Sequence, residues 1–145
     1  MTADPFALAR FVGPQEAMWP RVKAEMEAGR KQSHWIWFVF PQIGGLGTSF
    51  RSHHFAIRSH DEAKAYLAHP ILGARLREVT ELVLNVEGRN AHDIFGDPDE
   101  MKFRSSMTLF DAISPNDIFA RALDKYFSGE RDARTLSILR EIEKN

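Results

Sequence analysis

The sequence predicts an all-α protein, a single multihelical domain. Three observations carry this. Short polar residues recur where helices start, apolar residues follow them at three- and four-residue spacing, and no run shows the alternation of half-buried strands.

The elements follow in order. A short helix is expected from about Pro5 to Val12 and another from Pro14 to Ala28, with Pro20 kinking or splitting the second because proline removes a backbone donor. The segment His34–Phe40, HWIWFVF, is apolar at nearly every position, so periodicity alone leaves strand and helix open. Ser33 as a cap and the helical surroundings favour helix. Ser59-His60-Asp61-Glu62 reads as a capping box opening the next helix. Pro70 suits a helical first position, and Leu72, Leu76, Val79, Val83 and Val86 form a core stripe ended by Gly88. Asp97-Pro98-Asp99-Glu100 combines an N-cap, a proline at the first position and a glutamate in the first turn, and Ser114-Pro115-Asn116-Asp117 nearly repeats it. Ile118, Phe119, Ala122, Leu123, Tyr126 and Phe127 then make a stripe that Gly129 stops. Asp132 caps a last helix with Leu136, Leu139 and Ile142 facing inward.

Composition narrows the class. The chain has 145 residues, the size of one domain, with 43% hydrophobic and 27% charged residues. A net charge of -1, from 19 basic and 20 acidic residues, argues against general nucleic-acid binding, which needs a basic excess. With no cysteine, disulfides, Cys-based zinc sites and cysteine nucleophiles are excluded. MTADPFALARF lacks the pattern of a signal peptide and no window suits a membrane span, so a cytoplasmic protein is expected. His53-His54 and His60 are too loosely spaced for a metal site, the familiar nucleotide and hydrolase motifs are absent, and no metal or cofactor is expected.

Two segments carry candidate chemistry. In Lys31–Ser49, KQSHWIWFVFPQIGGLGTS, the aromatics Trp35, Trp37, Phe38 and Phe40 are flanked by Lys31, His34, Gln42 and a glycine-rich stretch. Aromatics beside a few polar groups line small-molecule pockets, although the same rings also build cores. His34 is an acid/base candidate or a hydrogen-bonded structural histidine. In Asp97–Phe110, a helical projection gathers Glu100, Arg104, Thr108 and Asp111 on a solvent face, opposite Phe103, Met107 and Phe110. Lys102, Ser105 and Ser106 fall on the apolar side, where they need partners or a polar cavity.

Gly29–Ser49 and Ile94–Phe110, which contain these segments, with Arg10-Phe11, Gln15, Glu62-Ala63, Tyr66-Leu67, His69–Leu76, Phe119, Leu123–Gly129, Asp132 and Thr135-Leu136, resemble the bacterial family called domain of unknown function 1810, whose members often carry the label calpastatin. Calpastatin itself is a disordered inhibitor, unlike a capped domain of this kind. The family is similar in fold to the YbiA-like, or NADAR-type, superfamily of helical N-glycosidases acting on ribosylated or ADP-ribosylated compounds. The resemblance implies a YbiA-like all-α fold and a ligand of nucleotide or ADP-ribose type. Cleavage of a ribosyl–base bond passes through an oxocarbenium-like state and needs an inward carboxylate and a proton donor. The sequence assigns no carboxylate to that role. His34 and Lys102 are the catalytic candidates. Trp35 and Trp37 are candidates to stack on a base, with Lys31, Gln42, Ser105 and Ser106 to bind the remainder. The alternative is a module that binds such a ligand, or a protein partner, without turnover.

Overall fold

Asp4 starts the first helix by accepting from the backbone N–H groups of Leu8 and Ala9 at 2.8 and 3.0 Å. In the computed structural model, which describes residues 3–144, α1 runs unbroken over Ala9–Glu27 with Pro14 and Pro20 inside it. The two shorter helices expected here are therefore one. Burial of Phe11, Gln15, Val22, Glu25 and Met26 along α1 offsets the lost backbone bonds. Met1, Thr2 and Asn145 lie outside the described residues, so the signal-peptide reading extends beyond them.

The remaining helices are α2 (Ile36–Val39), α3 (Phe50–His54), α4 (His60–Ala68), α5 (Leu72–Leu84), α6 (Ala91–Phe95), α7 (Asp99–Ile113), α8 (Ile118–Phe127) and α9 (Ala133–Glu143). HWIWFVF is helical only over four residues, and its cap differs from expectation. Ser33 does not cap α2, because its hydroxyl donates to Glu25 Oε2 at 2.6 Å. Ser59 does cap α4, accepting from the Glu62 N–H at 3.0 Å. Glu62 turns elsewhere, to the Arg58 N–H and to Arg10 at 2.6 Å. α5 begins after Pro70, where His69 Nδ1 accepts from the Ile71 and Leu72 N–H groups at 3.1 Å. α7 begins at Asp99 with no side-chain cap, so Asp97 does not serve as one. Asp117, not Ser114, caps α8.

α7 is the central element. It packs against α2, α4, α6, α8 and α9, and Phe103 and every residue from Ser105 to Phe110 is buried on it. The projected solvent face therefore fails at Thr108, which is fully buried beneath the start of α9. A helix enclosed on most sides has no clean polar face, and the projection could not see the enclosure. One hydrophobic core joins Trp35, Phe40, Tyr66, Phe103, Phe110 and Phe119. The stripes expected on α5 and α8 are buried as read, with Tyr126 and Phe127 at the margin.

The only extended pairing among the described residues is an isolated parallel bridge between Ile43 and Ile57. The Gly44 N–H donates to the Ile57 carbonyl at 2.8 Å and the Ile57 N–H donates to the Gln42 carbonyl at 2.9 Å. This clasp closes residues 44–56 into an excursion that carries α3. No helix among the described residues is long and apolar enough to cross a membrane.

Candidate functional site

Gln42 at the clasp and Leu46, Gly47 and Ser52 of the excursion form one wall of a pocket of about 230 Å³. The other wall is Pro98, Met101, Lys102 and Ser105 at the start of α7, with Asp132 and Arg134 at the start of α9. Gly47 permits the close approach. A Cβ there would lie 2.5 Å from Ser52 Oγ, inside van der Waals contact. Arg134 Nη2 donates to the Gly45 carbonyl at 3.1 Å and ties α9 to the excursion across the pocket.

The pocket joins the two segments singled out in the sequence. Gln42 from the first and Lys102 and Ser105 from the second line it together. Trp37 sits behind it, sharing a small adjoining space with Gln42, Ser52 and Phe55. Two cations lie on its ring, Lys102 Nζ at 4.7 Å and the Arg51 guanidinium at 5.0 Å from the centroid. The indole N–H of Trp37 is buried and has no hydrogen-bond partner.

The other residues read from the sequence lie elsewhere. His34 is exposed and does not border the pocket. Trp35 is fully buried and donates its indole N–H to Glu25 Oε1 at 2.9 Å. The side chain of Lys31 is largely enclosed, with Nζ 2.6 Å from Asp99 Oδ2, 5.0 Å from the Trp35 ring and donating to the Ser33 carbonyl. Ser106 is fully buried, does not border the pocket, and its hydroxyl has no partner.

Glu25 organises this region. It accepts from the backbone N–H groups of Gln32 and Ser33, the Ser33 hydroxyl and the Trp35 indole. Burial pushes its carboxyl up, but these four donors outweigh burial and hold it below the usual carboxylate value.

Sequence reasoning missed Asp132 as a site residue because it read the residue only as a cap. Asp132 is indeed the cap of α9, accepting from the Thr135 N–H at 3.0 Å. It also accepts from the hydroxyls of Thr135 and Ser105, and all three bonds converge on Oδ2. Oδ1 is left without a hydrogen bond. The Asp132 N–H donates to Thr108 Oγ1 at 2.9 Å, which fixes the carboxylate's backbone to α7. Asp99, also read as a helix-start residue, lies 3.8 Å from Lys102 Nζ through its other oxygen.

An all-helical domain with a small mixed-charge pocket between a clasped excursion and two helix starts is the class these observations define. The chain belongs to the family described as Protein of unknown function (DUF1810), whose model matches residues 5–139. It is similar to the crystal structure of the conserved hypothetical protein Rv1873 from Mycobacterium tuberculosis, with 48% identity over 94% of this chain and 99% of that one and a TM-score of 0.93. No curated protein matches the chain.

Proposed function

We propose that this pocket binds a ribosylated small molecule and hydrolyses its ribosyl–base bond. The observation that carries the reading is Asp132, a carboxylate lining one cavity with Lys102, Gln42 and Ser105. The resemblance to YbiA-like N-glycosidases supplies the substrate class. A volume of about 230 Å³ is below the ~300–1,000 Å³ of sites that enclose drug-sized ligands. The pocket is therefore sized for part of an ADP-ribose-type ligand rather than for the whole.

The chemistry is a hydrolysis. The C1′–N bond breaks and its electron pair leaves with the base, which takes a proton from Lys102 or a water. Water adds to C1′ and releases its own proton to solvent or to Asp132. An anionic Asp132 about 4 Å from the developing cation contributes about 4 kcal/mol at an effective dielectric of 20. That corresponds to roughly a thousandfold in rate. Gln42 and Ser105 supply donors and acceptors for sugar hydroxyls. His34 takes no part in this version of the mechanism.

The test is incubation with ribosylated and ADP-ribosylated compounds, with the free base read by chromatography and binding by thermal shift. Base release lost in Asp132→Asn supports the proposal. Absence of both release and binding overturns it. Binding without release establishes the non-catalytic alternative, which one observation favours: Asp132 Oδ2 already serves three donors.

A further inference from the structure

A second cavity, larger than the pocket above, is a cleft of about 660 Å³ between the second half of α1, the Arg30–Ser33 segment and Arg89. Arg21, Arg30 and Arg89 border it, and Ala24 and Ala28, one helical turn apart, form a shallow floor.

We propose that this cleft is a binding site for a small polyphosphate-type anion, separate from the Asp132 pocket and independent of its chemistry. Charge is the first argument. Arg10, Arg75, Arg77, Arg104 and Arg131 each face a carboxylate. Among the described residues the Arg21 and Arg30 guanidiniums have no ion-pair or hydrogen-bond partner, and the Arg89 guanidinium bonds only to carbonyls. The one acid of the cleft, Glu25, is spent on four donors of its own. The C-terminal end of α1 adds only about half a negative charge. Three guanidiniums outweigh both.

Pre-organisation is the second argument. Arg89 Nε donates to the Gly29 carbonyl at 2.9 Å and Nη2 to the Asp93 carbonyl at 3.3 Å, which leaves Nη1 unengaged. Gly29 has φ +72, and a Cβ there would meet Val86 Cγ1 at 2.9 Å and Arg89 Cδ at 3.1 Å. Glycine therefore allows Arg89 to close against the loop. Guanidinium groups match phosphate oxygens in paired hydrogen bonds. No aromatic ring borders the cleft, so the lining selects charge rather than a stacked base.

The experiment is calorimetric titration of the full chain with sodium tripolyphosphate and with inorganic phosphate. Nitrogen-15 spectra of the arginine side chains are recorded in parallel. Tripolyphosphate should bind more tightly than phosphate, weaken as salt rises, and shift the Arg89 Nε resonance. Arg21→Ala combined with Arg30→Ala should weaken it by about tenfold per arginine, roughly 1.4 kcal/mol each. Arg121→Ala, on an exposed arginine of α8, should leave it unchanged. No binding in the millimolar range overturns the proposal. So does equal weakening by Arg121→Ala, or tighter binding of a poly-glutamate peptide than of tripolyphosphate.

Discussion

Lys31 Nζ and Asp99 Oδ2 stand 2.6 Å apart, with the Lys31 side chain only 5% exposed. This ion pair pins the start of the aromatic segment to the start of α7, and so sets how the two walls of the Asp132 pocket meet. Removing one partner strands the other. Lys31→Ala should cost about 2–3 kcal/mol in urea unfolding, less than the ~3–5 of a fully buried pair, because Asp99 keeps Lys102 at 3.8 Å. A double-mutant cycle with Asp99→Asn should return a coupling of about 1–3 kcal/mol.

Asparagine caps helices about as well as aspartate, so Asp132→Asn should leave the melting temperature nearly unchanged. If Asp132 stabilises an oxocarbenium ion, the same change should lower turnover by roughly 100- to 1,000-fold. Loss of activity that tracks loss of stability would assign Asp132 to the fold alone.

Ser105 and Ser106 are neighbours in sequence with opposite expectations. The Ser106 hydroxyl is buried without a partner, so Ser106→Ala should be neutral or stabilise by up to about 1 kcal/mol. The Ser105 hydroxyl donates to the Met101 carbonyl and to Asp132, so Ser105→Ala should weaken ligand binding at that pocket. Thermal melts and ligand titration of both variants check this.

Glu25 has a lowered pKa in the folded chain, so its contribution is present above the ordinary carboxylate value and disappears as pH falls through the lowered one. Stability measured from pH 7 down to pH 3 should therefore fall more steeply in the wild type than in Glu25→Gln. At pH 7 that variant should lose about 1–3 kcal/mol, because its one amide oxygen cannot serve both the three N–H donors at Oε1 and the Ser33 hydroxyl at Oε2.

His92 Nδ1 lies 3.0 Å from Glu100 Oε1, and that hydrogen bond and charge raise the His92 pKa above the ordinary histidine value. A raised pKa stabilises below the ordinary value and ceases to do so as pH rises through the raised one. The His92 resonance should titrate at higher pH than in Glu100→Gln, which should restore ordinary behaviour.

The helical class was legible in the sequence because caps and apolar stripes are local signals. Ser59, Asp117 and Asp132 announce their helices, and Val79 and Val83 their buried face. α1 was misread because a proline's cost is local while the burial that offsets it is not. Thr108 was misread because a projection knows one helix and not its neighbours. Within the candidate site, Gln42, Lys102 and Ser105 stand out in the sequence as polar residues in apolar company, but their meeting in one pocket does not. Asp132 and Asp99 escaped because helix-start acids are so often only that. Nothing local in the sequence says that α9 begins against α7, or that Lys31 ends beside Asp99.

The clasp at Ile43 and Ile57 separates two kinds of inheritance. Change within residues 44–56 is contained by the bridge, and lengthening such a loop costs only logarithmically in closure entropy. The outer wall of the pocket is thus free to diversify among descendants of this sequence. The α7 wall stands on a helix whose residues from Ser105 to Phe110 are buried, so that helix tolerates little revision. Ligand preference can drift along one segment while the other keeps the lineage folded.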